Sequence, residues 1–395
     1  MEKTLNLSHT VSGSSAVIRI AFIIAFVQFT NALEYMMFNP LFVYMASQFS
    51  VPVTYAGYVT GTYTLASVIS GLCVWKWIDL VSAKRFLLWN MALLGVLTVL
   101  ITFTSSYTLL LLLRFMAGLA GGTTMGVGMS LLISLAPAAL QARMIATVIA
   151  SFSVVSIAGM PAMLFLSTHL GWSSAPRLIG LLCLLCLLLI VRFIPDVESN
   201  GVNKASLTLT PEWLFFASGN AVAQFTPMLI IPALVPMLTQ HMQALTASLP
   251  TLFFIGGLAG LMATKLTGKL LAYLSGYTLA IVSTLILLVS ILLPVSGLHV
   301  SGLFIGLFLG GAYGRLVVVS CVTAKFPDKA SRAGFLTVQT ALMSLSTTLA
   351  FFLSAMTFEE ASPLPVMFLI LVLSSALLLP VMVKSMEKRL ARRGI

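Results

Sequence analysis

Charge is what this sequence is short of. Asp, Glu, Lys and Arg make up 8% of its 395 residues, where a soluble domain carries about 25%. So little charge does not cover a water-exposed chain of this length. With 59% of residues in the AVILMFWYC set and a mean hydropathy of +1.08, the solvent is lipid. The four cysteines, Cys73, Cys183, Cys186 and Cys321, lie within or at the ends of apolar runs, which argues against a disulfide framework or a thiolate metal site and for core packing. His9, His169, His241 and His299 show no metal or acyl-transfer spacing, so a membrane enzyme lacks its catalytic constellation, and neither metal nor cofactor is expected. Neither glycine cluster, Gly118 to Gly128 or Gly302 to Gly314, is followed by Lys-Ser/Thr, which disfavours a phosphate loop; close helix contacts are the expected use. No cleavable signal peptide is expected, because the N-terminal tail is polar and the first apolar run is too long for an h-region.

What the sequence has is long apolar runs. Runs of 18 or more recur along its length, as a hydrocarbon core of roughly 30 Å requires. Spans are expected at Ile18–Met45, Val53–Trp75, Phe86–Thr104, Tyr107–Ile133, Met144–Ser167 and Ala175–Ile194. Six more come after them at Glu212–Thr239, Ser248–Tyr273, Tyr277–Leu293, Val300–Cys321, Ala333–Met356 and Pro365–Val383. The fold class is all-α integral membrane, with twelve transmembrane helices in two pseudo-symmetric six-helix bundles: residues 1–195, a cytoplasmic linker 196–211, and 212–395 ending in a basic tail. Lys and Arg crowd one face, from Lys76, Lys84 and Arg85 to Lys384, Lys388 and Arg389, whereas Arg177 stands alone on the other. The positive-inside rule places both termini in the cytoplasm. The net charge of +11 stems from that topology and from anionic headgroups and does not argue for nucleic acid. The tail KSMEKRLARRGI reads as a solvated or lipid-facing anchor, with an interaction element as the alternative.

A shift of 196 residues lays Ala25, Gln28, Phe29, Thr30, Leu33 and Pro40 on Ala221, Gln224, Phe225, Thr226, Leu229 and Pro236, and Gly118 on Gly314. Two related halves are the expectation. Glu34 falls opposite Ile230, so one half alone carries the carboxylate.

The loop WKWIDLVSAKRFLLW resembles the major facilitator superfamily signature G-x-x-x-D-x-x-G-x-[RK]-[RK], with Asp79, Lys84 and Arg85 in the charged positions and Trp75 and Ser82 where glycines are usual. Arg114 followed by Gly118 matches the superfamily's fourth helix. Gly159, Pro161 and Gly171-Trp172 are similar to its antiporter motif, whose glycine-rich half is missing. Leu33-Glu34-Tyr35 with Pro40-Leu41 resembles the first helix of the drug:proton antiporter and sugar-efflux group. The resemblance implies secondary transport of a small organic solute.

An intramembrane carboxylate costs at least about 2.5–3.5 kcal/mol, so Glu34 needs a partner, a cavity or a proton path. Arg114 lies roughly 12 Å below the external face and Glu34 some 8 Å below it, by 1.5 Å per residue in a 30 Å core. A charge pair is therefore expected, either as the proton-coupling device or as a static packing element. Asp79, Asp196, Glu198, Glu212, Asp328, Glu359, Glu360 and Glu387 all fall in loops or at helix ends. Gln28, Asn31, Tyr35 and Phe38 form a polar and aromatic stripe beside Glu34. Asn220 and Gln224, on a helix interrupted by Pro227, Pro232 and Pro236, are expected to face it across a solute pathway, with Gln339 as a further candidate. Interhelical hydrogen bonding is the alternative use of these amides. Arg315 either meets an anionic solute group or snorkels to the cytoplasm, with snorkelling preferred. Asp79, Lys84 and Arg85 are expected to form a cytoplasmic latch. The partners expected are a small solute, protons and the bilayer, for a monomer in the inner membrane. Proton-driven export is the leading expectation, with uptake or facilitation on the same fold and a non-transporting receptor as alternatives.

Overall fold

The computed structural model describes residues 14–77, 82–135, 137–196, 210–327, 332–358 and 365–394. All regular structure among them is helical. In chain order the helices are α1 (Ser14–Met45), α2 (Ala56–Trp77), α3 (Ala83–Leu100), α4 (Tyr107–Gly121, resuming as Thr124–Leu135), α5 (Ala138–Val154, a π-helical turn Val155–Gly159, then Met160–Leu170) and α6 (Ser174–Phe193). The chain continues with α7 (Pro211–Ala217 and Gly219–Pro236, closing in a π-helical turn Met237–His241), α8 (Leu249–Leu270), α9 (Gly276–Leu292), α10 (Ser301–Thr323), α11 (Arg332–Thr357) and α12 (Val366–Arg392).

Among the described residues, 11 helices are long and apolar enough to cross a membrane; α2 is the one that falls short. Its sequence is rich in Thr, Ser and Gly, and it packs between α4 and α11 while Leu65 and Ile69 stay exposed. The hydroxyls are satisfied locally: Thr62 donates to Tyr58 O (2.7 Å), Ser67 to Tyr63 O (3.0 Å) and Ser70 to Leu119 O of α4 (2.7 Å). By contrast, α3, α6, α9 and α12 expose stripes of large apolar side chains, such as Leu181, Leu184, Leu188 and Val191 on α6. Helices α1 and α7 are the most enclosed spans, 61% and 72% buried over their most apolar windows.

The prolines of α7 do not break it. Helix runs through Pro227, Pro232 and Pro236, and the irregularity falls instead in the π-helical turn after them. All three prolines are buried, so packing around α7 holds the helix where backbone bonds are missing.

Apolar side chains from Val17 to Ile194 form one core, and those from Trp213 to Leu390 form a separate one around α7, α9, α10 and α12. A third, mainly from α7 to α12, takes in Leu164 of α5. The seam between the two sets is tight at the end of the molecule away from residues 14 and 394. There a Cβ on Gly57 would lie 2.5 Å from Phe351 O, so α2 and α11 meet only because that side chain is absent. The Tyr58 and Phe352 rings meet at 5.9 Å, and Tyr44 donates to Thr246 O at 3.1 Å. At the opposite end the described ion pairs stay within one side of the seam: Arg85–Asp196 at 3.5 Å and Arg393–Glu212 at 2.6 Å.

The basic tail continues α12 and docks on its own side of the seam. Glu387 accepts from the backbone N–H groups of Gly276 (2.7 Å) and Tyr277 (3.2 Å), capping the N-terminus of α9. The Lys384 ammonium, Arg389 and Arg393 lie over the rings of Tyr277, Phe215 and Phe326. Glu387→Ala is expected to cost about 1.5–3 kcal/mol, the usual worth of hydrogen bonds to a charged group. Glu387→Gln, which keeps one acceptor oxygen, should cost less. Thermal unfolding of the purified protein checks the order, and equal midpoints for parent and Ala variant would remove the cap.

Candidate functional site

Four helices converge on one buried charge pair. Glu34 on α1 and Arg114 on α4 are both 0% exposed, and their ion pair joins Arg114 Nη1 to Glu34 Oε1. Thr98 of α3, also fully buried, donates to the same oxygen at 3.1 Å. The guanidinium lies over the Phe38 ring (4.0 Å) one turn along α1, and over Tyr63 of α2 (4.5 Å). Tyr63 in turn stacks on Tyr35 (5.4 Å) and donates weakly to Asn31 Oδ1 (3.5 Å). The depths deduced from helical rise therefore correspond to a direct contact.

The pair is only partly saturated. Glu34 Oε2 and the Nε and Nη2 atoms of Arg114 make no hydrogen bond to protein. The Phe38 and Tyr63 rings add attraction for the cation, and cation–π attraction is strongest when such a pair is desolvated. One carboxylate oxygen is thus committed to Thr98 and Arg114 while the other is uncommitted.

The amides are distributed differently from the stripe pattern. Asn220 donates to Ser320 on α10 (3.1 Å), Gln224 to Thr347 on α11 (3.0 Å), and Gln339 to Thr323 on α10 (3.2 Å). Each ties helices on the same side of the seam. Gln28 is buried with its Oε1 unbonded, as is Asn220 Oδ1. Thr30 and Thr226, matched by the 196-residue shift, are both fully buried. Each meets the last helix on its own side of the seam: Cys186 on α6 (3.5 Å) and Ser375 on α12 (2.9 Å).

Arg315 does not snorkel. It is 0% exposed, and its terminal nitrogens donate to Thr284 Oγ1 (2.9 Å), Ala376 O (3.1 Å) and Thr226 Oγ1 (3.4 Å), tying α10 to α9, α12 and α7. Helical rise sets its depth, but hydroxyl and carbonyl acceptors on three neighbours hold the side chain inward. Lys84 donates to Val191 O at the end of α6 (3.2 Å) and Arg85 pairs with Asp196; both contacts are exposed. Asp79, the third member of the expected latch, lies outside the described residues.

Sequence reasoning missed Thr98, Tyr63 and a contact between Ser156 of α5 and Tyr313 of α10. A lone Thr in a Leu-rich helix or a Tyr among glycines carries no spacing signal. Tyr63 reaches the pair because α2 lies directly on Gly118 of α4, where a Cβ would fall 2.2 Å from Tyr63 O.

The family profile of the Major Facilitator Superfamily matches residues 24–355. Among curated proteins the chain is similar to a putative transporter, AraJ, of Escherichia coli (strain K12): 24% identity over 185 residues, 45% of this chain and 47% of that protein. It is also similar to a purine ribonucleoside efflux pump, NepI, of Salmonella paratyphi A: 23% over 190 residues, 48% of this chain and 47% of the pump. The matches thus span about half the length of these relatives. Among solved structures, a bacterial homologue of the human lysosomal transporter Spinster, inward-facing and occupied, superposes with a TM-score of 0.68 at 16% identity, covering 93% of each chain. The nucleoside transporter NupG superposes with a TM-score of 0.73 at 12% identity, covering 94% of this chain and 99% of its own.

Proposed function

Because the chain belongs to the Major Facilitator Superfamily, we propose that it is a secondary transporter that exports a small organic solute in exchange for protons. Residues 1–195 and 212–395 are the two halves, with twelve crossings and both ends in the cytoplasm. They rock about the seam closed by α2–α11 and α5–α8. The inner membrane and a monomeric state fit this reading.

One observation carries the coupling: Glu34 is a fully enclosed carboxylate with one oxygen held by Thr98 and Arg114 and the other free. Loading a proton at Oε2 weakens the pair with Arg114, and the pair re-forms on release. Solute binding is favoured in the deprotonated state, and the amides Gln28, Asn31, Asn220 and Gln224, with Tyr35, border its path once the halves part. Purine ribonucleosides are the first solutes to test, because a pump for them is among the relatives.

The test is flux in proteoliposomes under an imposed pH gradient, with purine ribonucleosides, sugars and cationic drugs as separate substrates. Solute should accumulate against its gradient on the side from which protons depart. Accumulation in the direction of proton flow would make the protein a symporter, and gradient-independent equilibration would make it a facilitator. No flux with any substrate class would overturn transport of these solutes.

A further inference from the structure

Three helices from both sides of the seam meet at one point near mid-membrane. Ser156 lies in the π-helical turn of α5, Tyr313 lies on α10, and their hydroxyls are 2.8 Å apart. Ser156 Oγ is also within 3.3 Å of Phe152 O, to which it can donate, and either hydroxyl can be the donor in the contact with Tyr313. Helix α8 is cut away to allow the contact. A Cβ on Gly257 would fall 2.6 Å from Ser156 O, and one on Gly260 would fall 2.5 Å from the Tyr313 ring. The two glycines are three residues apart and share a face of α8. One admits the α5 backbone and the other admits the tyrosine ring. The extra residue in a π-helical turn rotates the two flanking stretches of α5 relative to each other, and here it delivers Ser156 to the seam.

The direction of Tyr313 is also telling. Two residues along an α-helix are about 200° apart, so Tyr313 and Arg315 leave opposite sides of α10. Arg315 binds its own bundle, while Tyr313 reaches the other. It lies about 18 Å from the Ser301 end of α10, deeper than the Tyr44–Thr246 contact at the closed rim.

We infer that Tyr313 and Ser156 form a mid-membrane latch that holds the seam closed at the end away from the chain termini, and that it has to release for that end to open. This rests on the two-state rocking proposed above. Tyr313 is a positioning residue: it acts on the equilibrium between closed and open seam through Ser156.

The test uses spin labels at Ser47 and Leu245, exposed positions on either side of the closed end, in the full chain with its native cysteines replaced, reconstituted in nanodiscs without solute or pH gradient. Tyr313→Phe removes one oxygen and keeps the ring, and Ser156→Ala removes the other partner from the opposite half. Each is expected to raise the ratio of long to short label distances about fivefold, the effect of one neutral hydrogen bond. The double variant should match the singles, and the unfolding midpoint should stay within a degree or two. Distance distributions unchanged in both variants would overturn the latch, and so would additive effects in the double variant. The measurement needs no flux, so its outcome is independent of the solute and of proton coupling.

Discussion

Replacing Arg114 with Met while Glu34 stays in place is expected to destabilise the protein by about 3–5 kcal/mol, the usual effect of stranding one member of a buried ion pair. Both side chains are 0% exposed, so no solvent rescues the carboxylate. Thr98 alone would remain to hold Oε1, with Oε2 already unbonded. Adding Glu34→Leu should recover most of the loss. The Phe38 and Tyr63 rings that now face the guanidinium accept an apolar side chain equally well, and Thr98 can turn to a carbonyl one turn back in its own helix. Thermal unfolding of the parent, both singles and the double variant in one detergent gives the coupling energy. A double variant no more stable than Arg114→Met would mean that the rings and helix packing, not the charges, set the stability here.

How much of this was readable in the sequence depends on which coordinate a residue expresses. Depth is legible, since 1.5 Å per residue carries Glu34 and Arg114 to similar levels from opposite faces, and the structure joins them. Direction around the helix is legible only where a polar stripe exists. Arg315 lacks one: its neighbours in GGAYGRLV are small or apolar all round, so its inward turn to Thr226, Thr284 and Ala376 could not be read. Val53–Trp75 reads as a span like the others; the structure shows a helix packed against α4 and α11 whose hydroxyls bond inside the protein. Arg85 finds Asp196, far along the chain from its own loop motif, because α3 and α6 pack side by side. The Ser156–Tyr313 contact had no sequence signature, as hydroxyls are common in membrane helices and become informative only when the glycines facing them are seen.

Glu34→Gln is expected to abolish accumulation driven by a pH gradient while leaving solute exchange intact. Glutamine keeps the length of the side chain and an oxygen to accept from Thr98 and Arg114, but it cannot carry a proton between the two sides. For one proton exchanged per neutral solute, a gradient of one pH unit sustains about a tenfold concentration ratio, because 1.4 kcal/mol corresponds to a factor of ten. The wild-type protein should approach that ratio, and the variant should settle near unity. Counterflow, in which labelled solute enters against preloaded unlabelled solute with no gradient, checks that the variant still binds and cycles. A static pair predicts something different: the variant would lose stability without losing the gradient response of whatever protein remains folded. A Glu34→Gln protein that is correctly inserted, active in counterflow and still able to build a tenfold ratio would remove Glu34 as the proton carrier. Since every other acid among the described residues sits at a helix end or in a loop, the coupling group would then have to be sought outside the membrane core.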